Sequence, residues 1–394
     1  MTPAPRRRQA RRIEGIAQSD IRKMSRICME LGGVNLGQGI CDQPTPPEVK
    51  VAAKAAIDAD QSIYSKYEGI DPLRAAIARK LAAYNGLPCD PDSEVLVTAG
   101  STGGFVAAAL SFIEEGDEVI LFSPFYGYHL NVLKLARPVI RSVTLRGADW
   151  AFDRGELAAA FGSKAKAIVI NTPCNPCGKV FTREELEFIA GLCVEHDCLA
   201  ITDEIYEYIL YDGRRHVSLA TLPGMRERTI TLSGFSKTYN MTGWRLGYSV
   251  APAEFTAPMG VIADLLYICA PTPLQHGVLA AFDLPESYYR TMQADYDRKR
   301  AQTMAACDAV GLRSLPPQGS YYLMVDVREA GFATDREAAD VLMRRCGVAT
   351  VPGSSFYVNP QDGATQLRIC FAKQDHDLDR ACEGIAKLAK VHTR

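Results

Sequence analysis

Lys237 lies among small residues directly after an apolar run, in the segment Ser233–Thr238 that reads SGFSKT. Small neighbours allow a bound molecule to approach the backbone, and a neutral lysine amine can attack a carbonyl carbon to form an imine. Arg245 follows within the segment GWRLG, and its guanidinium is a suitable partner for a phosphate. Together these residues predict a site for an aldehyde cofactor that carries a phosphate.

Loops that contain polar residues or glycines follow several apolar runs. In an open α/β sheet, ligands bind beyond the carboxyl ends of the strands. We therefore expect these loops to meet at one site. They are Ala99–Thr102, Ser123–Tyr126, Thr172–Asn175, Asp203–Tyr206 and Ser233–Lys237.

The apolar runs alternate with helical patterns between about residues 94 and 250, which predicts βαβ units and a mostly parallel sheet covered on both faces. Predicted helices include Gly104–Ile113 and Arg183–Glu195, and the second begins with a capping box of Thr182 and Glu185. The predicted strands are Glu94–Thr98, Glu118–Phe122, Ala167–Asn171, Leu199–Thr202, Thr229–Leu232 and Arg245–Val250.

After Pro285 the pattern changes to a long, charged, amphipathic helix over Ser287–Val310, which is suited to connecting two domains. We expect residues 1–35 to contribute to a small domain, 36–285 to form a large cofactor-binding domain, and 286–394 to supply the linking helix and the C-terminal small α+β domain. The elements predicted in this last part are strand Gly319–Asp326, helix Asp335–Cys346, strands Val348–Val351 and Thr365–Phe371, and helix Asp375–Val391.

The composition favours small-molecule chemistry. The 394 residues are 47% hydrophobic and 23% charged, with a formal net charge of −2; such a length corresponds to about two domains. A nearly neutral chain has no electrostatic drive toward nucleic acid or anionic membranes, and no run approaches the ~20 apolar residues that cross a bilayer. The segment Arg6–Arg12 is interpreted as a solvated tail, with a transit peptide or a nucleic-acid arm as alternatives.

Twelve cysteines are scattered along the chain, a distribution that favours free thiols in a reducing cytoplasm over a disulfide framework. Cys174 and Cys177 form a Cys-x-x-Cys motif, but no second pair follows at zinc-finger spacing. We therefore expect a cytoplasmic protein without a metal site.

The segment Ser236–Tyr248, which reads SKTYNMTGWRLGY, resembles the lysine signature of the class I/II aminotransferases, the family of aspartate and kynurenine aminotransferases. Further segments resemble motifs of this family in the same order, and Leu36–Gly39 resembles its substrate-side N-terminal strand. The resemblance implies fold type I, with a three-layer α/β large domain, a mostly parallel sheet and a smaller α+β domain. The other segments are Tyr64–Arg74, Asn171–Gly178, Asp203–Tyr206 and Leu367–Ala372.

The resemblance also implies pyridoxal 5'-phosphate (PLP) as cofactor, held as an imine on Lys237. Asp203 would contact the pyridine nitrogen and keep it protonated, because a cationic ring is a better electron sink. His129 would orient this carboxylate. Asn175 and Tyr206 would hydrogen-bond the phenolic oxygen of the ring.

Binding of the ring face and the phosphate is assigned by the same resemblance. Tyr126 would stack on the ring. Ser101 and Thr102 would offer backbone N–H groups and hydroxyls to the phosphate ahead of a helix that starts near Gly103, and Arg245 would supply the positive charge.

Two further residues complete the phosphate site. Ser236 would add a hydroxyl group. Tyr64 would reach the phosphate of the neighbouring subunit, which implies a homodimer with shared active sites.

The implied substrates are an L-amino acid and a 2-oxo acid. Arg368 would hold the α-carboxylate in its planar fork, together with Gly39 and Asn175, while the released Lys237 would move the α-proton. Other PLP enzymes on this fold remain alternatives, namely a C–S or β-lyase, a cyclase or an oxidase of specialised amino-acid metabolism. A PLP-binding transcription regulator is disfavoured, because the segment before Leu36 is too short for a DNA-binding domain.

Some positions near the expected substrate depart from the family pattern. Gly103 replaces a Gln, Cys177 replaces a Thr, and Ile40–Gln43 differs from the usual Phe-Pro-Asp-Phe. Aspartate-type relatives bind a distal carboxylate with an arginine of the partner subunit, but Pro252–Tyr289 contains no lysine or arginine, and Asp264 stands near the corresponding place. A neutral or cationic amino donor is therefore favoured over a dicarboxylic one.

Overall fold

The computed structural model describes residues 10–13, 16 and 20–390, so most of the arginine-rich segment lies outside the described residues. The helices are α1 Asp20–Glu30, α2 Pro47–Asp58, α3 Asp71–Lys80, α4 Gly100–Phe112, α5 Gly127–Ala136, α6 Arg154–Ala160, α7 Arg183–Glu195, α8 Ala253–Tyr267, α9 Thr272–Leu279, α10 Glu286–Asp308, α11 Asp335–Cys346 and α12 Asp375–Ala386. The strands are β1 Val34–Asn35, β2 Val95–Thr98, β3 Glu118–Ser123, β4 Val139–Thr144, β5 Ala165–Asn171, β6 Leu199–Asp203, β7 Thr229–Gly234, β8 Gly247–Val250, β9 Arg313–Leu315, β10 Tyr322–Asp326, β11 Val348–Ala349, β12 Val351–Pro352 and β13 Gln366–Cys370.

A seven-stranded sheet in the order β2-β8-β7-β6-β5-β3-β4 forms the centre of the molecule. The strands from β7 to β4 are parallel to one another, whereas β8 pairs antiparallel with β7 and β2. The register places Asn171 opposite Asp203, so β5 and β6 end at the same edge of the sheet. The predicted α/β class with a mostly parallel sheet is confirmed.

Both faces of this sheet are covered by helices. Successive side chains of a strand point to opposite faces, and in β3 Ile120 packs in one apolar cluster with Leu186 of α7, while Val119 packs in another with Phe105 of α4. Each such buried side chain contributes about 1.5–3 kcal/mol to folding. The result is the three-layer arrangement that the resemblance implied.

A second, antiparallel sheet has the order β12-β13-β10-β9, and β1 pairs with β11 in a separate parallel pair. The central strand β13 carries Arg368, which lies opposite Met324 of β10 and Val351 of β12. The long helix α10 packs against α12. Among the described residues, none of the helices is long and apolar enough to cross a membrane.

Several strands differ from the sequence-based expectations, and the three-residue strand β9 was not predicted. The edge strand β4 was not predicted, because Arg141 interrupts its apolar pattern and most of its residues are partly exposed. The single strand predicted over Val348–Val351 is two strands, which pair with β1 and β13. Pro352 cannot donate a ladder hydrogen bond and is accommodated because β12 is an edge strand.

Some element boundaries near the site also differ; strand β8, for example, begins at Gly247 and not at Arg245. Helix α4 begins at Gly100 and not near Gly103, so Ser101 and Thr102 lie inside its first turn. The strand expected at Leu36–Gly39 ends at Asn35. Beyond it, the Asn35 side chain accepts hydrogen bonds from the backbone N–H groups of Gly37 and Gln38, which turns the chain out of the strand.

A buried ion pair lies behind the loop that follows β6. The ammonium of Lys80 in α3 lies 2.5 Å from Glu207 Oε1, and the two side chains are only 11% and 4% exposed. Asn85 and Ser233 donate further hydrogen bonds to the same carboxylate. These contacts compensate the cost of removing the charges from water.

The neighbouring Glu204 extends this network to His216, whose Nε2 lies 2.7 Å from Glu204 Oε2. Burial opposes charging of the ring, but the Glu204 carboxylate raises the pKa of His216. Glu204, Glu207 and His216 lie close enough to share a metal ion. The Lys80 ammonium, however, already supplies positive charge to Glu207.

We predict that Lys80→Met lowers the free energy of unfolding by about 3–5 kcal/mol, because it leaves a buried carboxylate without its counter-charge. Urea denaturation at pH 7 measures this loss. The control is Lys66→Met, which breaks an ion pair with Asp71 whose side chains are 61% and 57% exposed and should cost much less stability, because solvent screens this pair. Equal losses in the two variants would contradict the role of burial.

Candidate active site

A cavity of about 230 Å³ opens at the carboxyl ends of the parallel strands and brings together most of the predicted site residues. Strand ends, the start of α4, the segment after β1 and strand β13 all contribute to its wall. The predicted residues that line it are Gly39, Ser101, Thr102, Tyr126, Asn175, Asp203, Tyr206, Ser236, Lys237, Arg245 and Arg368.

Two predicted residues do not line this cavity. His129 of α5 lies behind Asp203 and touches it through a hydrogen bond. Tyr64 lies in the connection between α2 and α3, and its side chain is 75% exposed. Within one chain, Tyr64 is therefore apart from the other site residues.

The Lys237 amine lies in a pocket of aromatic rings and backbone. Its Nζ donates a hydrogen bond to the Gly39 carbonyl at 3.2 Å and lies 5.8 Å and 5.6 Å from the ring centres of Tyr206 and Tyr321. Burial lowers the pKa of Lys237, an effect that attraction to Asp203 and nearby thiols only partly opposes. The shift increases the fraction of neutral, nucleophilic amine.

Asp203 presents a buried carboxylate at the end of β6. His129 Nε2 lies 2.9 Å from its Oδ2, and the backbone N–H of Ile205 donates to its Oδ1 at 3.3 Å. The ring of Phe105 packs against His129 with its centre 4.6 Å away. These contacts fix the direction of a carboxylate that can hold a proton on a ring nitrogen.

An anion-binding cradle lies at the start of α4. The 13-residue helix directs free N–H groups of its first turn, including those of Ser101 and Thr102, toward the cavity edge. A Cβ at Gly100, which has φ +73°, would lie 2.5 Å from Arg245 Nη2, so the guanidinium rests directly on this glycine. A Cβ at Gly247 would lie 2.5 Å from the backbone nitrogen of Ser101.

Arg368 is the most enclosed cation in the cavity wall, with 1% of its surface exposed. Its guanidinium carbon lies 4.4 Å from the ring centre of Tyr322 and 4.8 Å from that of Phe356. Nη1 donates to Asn175 Oδ1 at 2.8 Å and Nη2 to the Gly37 carbonyl, while Nε has no hydrogen-bond partner among the described residues. The held, planar fork is suited to a carboxylate.

Asn175 is positioned by Asn171, for which the sequence indicated no role. Asn171 Oδ1 accepts a hydrogen bond from the Asn175 backbone at 2.7 Å, and Asn171 Nδ2 donates to the Asp203 carbonyl at 2.9 Å. Because Asn171 and Asp203 are paired in register, the side-chain amide spans the two strand ends. In the sequence, its position as the first residue of the segment Asn171–Gly178, which resembles a family motif, was the feature that could have indicated this role.

Tyr322 was also missed. Its hydroxyl accepts a hydrogen bond from Tyr206 at 3.2 Å, and a Cβ at Gly39 would lie only 1.7 Å from it. Burial raises the pKa of Tyr322 to about 12 and also raises that of Tyr206, so both phenols stay protonated near pH 7. The apolar run that includes β10 predicted a strand, but the neighbouring sequence does not indicate which of Tyr321 and Tyr322 lines the cavity.

We predict that Lys237→Met stabilises the cofactor-free protein at pH 7. The folded-state pKa of Lys237 is depressed, so below the unfolded value of about 10.4 the unfolded chain binds more protons, and wild-type stability falls as pH falls. The variant should have a higher urea midpoint at pH 7, and the gap should shrink toward pH 10. Lys54→Met, at an exposed position of α2, is the control; no gap at pH 7 would refute the prediction.

Comparison with known proteins gives one consistent family. The sequence profile described as "Aminotransferase class I and II" matches residues 32–385. Kynurenine–oxoglutarate transaminase 3 of Mus musculus is 34% identical, over 95% of this chain and 89% of that protein. The aspartate aminotransferase of Pyrococcus abyssi is 34% identical, over 96% of this chain and 97% of that protein.

Solved structures agree with the sequence relatives. The structure of N-succinyldiaminopimelate aminotransferase from Mycobacterium tuberculosis superposes with a TM-score of 0.93 at 34% identity, covering 97% of this chain and 100% of that one. A methionine aminotransferase of Escherichia coli gives a TM-score of 0.92 at 30% identity, covering 97% and 100%. The chain therefore belongs to the class I and II aminotransferases, a fold type I family whose members depend in general on PLP.

Proposed function

We propose that this chain transfers the amino group of an L-amino acid to a 2-oxo acid, using PLP bound in the cavity and attached to Lys237. One observation carries the proposal: a lysine whose pKa burial lowers shares one cavity with a carboxylate, a helix-end anion cradle and an enclosed arginine. When bound, the cofactor supplies an aldehyde carbon that accepts the amino group and a ring that withdraws electrons.

The cavity fits this group at both ends. Arg245, which rests on Gly100, would hold the phosphate together with Ser101, Thr102 and Ser236. Glycine at position 100 leaves the space in which the guanidinium lies, and the first turn of α4 adds oriented N–H groups. The fit is therefore one of charge and of shape.

The ring would be held on its other sides by polar and aromatic groups. Asp203, oriented by His129, would keep a proton on the ring nitrogen. Asn175 and Tyr206 would donate to the ring oxygen. Because Tyr206 has one O–H group, it would exchange its present acceptor, the Tyr322 hydroxyl, for the ring oxygen, and its raised pKa keeps the phenol protonated. Tyr126 would cover the ring face.

The amino acid would be oriented by Arg368, whose fork accepts the α-carboxylate, while Gly39 keeps the adjacent wall free of a side chain. Once released, Lys237 Nζ is the base placed to take up and return the α-proton. Between the two steps the Gly39 carbonyl, which accepts a hydrogen bond from this amine at 3.2 Å, would hold Nζ in place.

We further propose a homodimer in which Tyr64 reaches the phosphate of the neighbouring subunit. Tyr64 is 75% exposed, and its segment packs on α8, where Tyr67 lies against Gly260. Ile63, next to Tyr64, and Leu265 of α8 are exposed as well. Large exposed apolar side chains on two segments that pack together are typical of a protein contact.

A cytoplasmic location is part of the proposal. All twelve cysteines are free thiols, and most of them, including Cys28 and Cys193, are buried. Free thiols are typical of a reducing compartment.

Lys237→Ala should abolish transamination and the visible absorption band of the PLP-loaded protein, because no other amine occupies its place. Borohydride treatment of the wild type should fix the cofactor on the peptide that contains Lys237. Lys54→Ala is the matched control and should keep both properties. Product analysis should give one amino acid for each oxo acid formed; ammonia with an elimination product would favour a lyase instead.

Full turnover in Lys237→Ala would contradict the assignment. So would an unmodified Lys237 after PLP and borohydride treatment of the wild type. Mass spectrometry of the digested protein decides the second point.

The shared site predicts subunit complementation between Tyr64→Phe and Lys237→Ala. At limiting PLP, Tyr64→Phe should bind the cofactor more weakly, and Lys237→Ala should be inactive. A hybrid of the two has one site that carries both substitutions and one site of wild-type composition. Co-expression should therefore restore tight-binding activity that neither variant shows. If Tyr64 served its own chain, the hybrid would show no such gain.

A further inference from the structure

A fourth cation, Arg22 of α1, lines the cavity together with Lys237, Arg245 and Arg368. The three others are assigned above to the amine chemistry, the phosphate and the α-carboxylate. Arg22 is exposed, and among the described residues it makes no ion pair or hydrogen bond with another side chain. Its positive charge at the wall of the substrate cavity is therefore available to a ligand.

The backbone of Arg22 is held at the cavity by polar contacts of α1. Ser25, three residues further on the same helix face, donates from Oγ to the Ile21 carbonyl at 2.8 Å and accepts from Asn35 Nδ2 at 2.9 Å. Asn35 Oδ1 in turn accepts from the backbone of Gly37 at 2.9 Å. The helix is thus tied to the segment whose Gly37 carbonyl binds the α-carboxylate arginine.

Apolar contacts also hold this turn of α1. Ile21 packs against the buried cluster of Val351, Phe356 and Tyr357. Phe356 is also one of the two rings that enclose the Arg368 guanidinium, at 4.8 Å. Arg22 is therefore attached, through its neighbour Ile21, to the structure that fixes the α-carboxylate end of the substrate.

The wall around Arg22 is a mixture of apolar and hydrogen-bonding groups. Ile21 and Ile40 line the cavity with aliphatic side chains, and Gln38 and Tyr128 add an amide and a phenol. Such a wall suits a side chain with a short methylene stem that ends in an acidic group. A cationic side chain would instead be repelled by Arg22.

We propose that Arg22 is a specificity-determining residue that binds the distal carboxylate of a dicarboxylic substrate. This inference rests on the proposed function, since the α-carboxylate must lie at Arg368. The segment 252–289 lacks lysine and arginine, and the sequence therefore favoured a neutral or cationic donor. The Arg22 guanidinium, from α1 of the same chain, supplies the positive charge that the segment 252–289 lacks. It therefore favours a dicarboxylic substrate over a cationic donor.

The test compares substrates that differ only in the distal carboxylate, namely 2-oxoglutarate and 2-oxopentanoate, with one amino donor and the PLP-loaded enzyme. Arg22→Gln should lower kcat/KM for 2-oxoglutarate by about tenfold or more, since a hydrogen bond to a charged group is lost, and leave 2-oxopentanoate unchanged. Arg22→Lys should retain an intermediate preference. Arg26→Gln, an exposed arginine of α1 outside the cavity wall, is the matched control.

Binding of unreactive acids separates this inference from the proposed function. Calorimetry should show that Arg22→Gln weakens glutarate about tenfold and does not affect pentanoate. Equal losses for both acids, or none for either, would overturn the role of Arg22 even in an active enzyme. A wild type that binds glutarate better than pentanoate but forms no oxo acid would overturn the proposed function and leave the role of Arg22 supported.

Discussion

A chain of hydrogen bonds joins the two sheets at the site, and the rest of the arrangement depends on it. Arg368 of the antiparallel sheet donates to Asn175, whose backbone donates to Asn171. Asn171 then donates to the carbonyl of Asp203 in the central sheet. Because every link is buried, a missing partner would leave a polar group unsatisfied at a cost of about 1–3 kcal/mol. The proposed cofactor and substrate ends are thereby held in one geometry.

The site combines well-compensated charges with one that is poorly compensated. Lys80 and Glu207 neutralise each other behind the sheet. Lys237, by contrast, is buried and, among the described residues, donates a hydrogen bond only to the Gly39 carbonyl; burial therefore outweighs the attraction to nearby groups, lowers the pKa of Lys237 and disfavours its charged form. Removal of the Lys237 amine from water lowers the stability of the folded protein. The same desolvation increases the fraction of neutral, reactive amine.

Site residues could be predicted from the sequence where they directly follow a strand that the sequence itself predicts. Lys237 and Asp203 follow apolar strands, and parallel strands bring such ends to one edge, so their meeting could be predicted from order alone. Tyr322 and Arg22 could not, because their roles arise from the packing of β10 and α1 against distant segments. The edge strand β4 was not predicted either. Most of it is partly exposed and it carries polar residues, so its sequence lacks the continuous apolar run by which buried strands are predicted.

The contact between Gly100 and Arg245 has a consequence for the proposed phosphate site. A Cβ at position 100 would fall 2.5 Å from the guanidinium, so the smallest possible side chain would displace the charge assigned to the phosphate. The absence of one methyl group at position 100 thus keeps the guanidinium at the place proposed for the phosphate. Because burial and, to a smaller extent, the charge of Arg245 lower the pKa of Lys237, a side chain at position 100 would change both the proposed phosphate site and the reactivity of the amine.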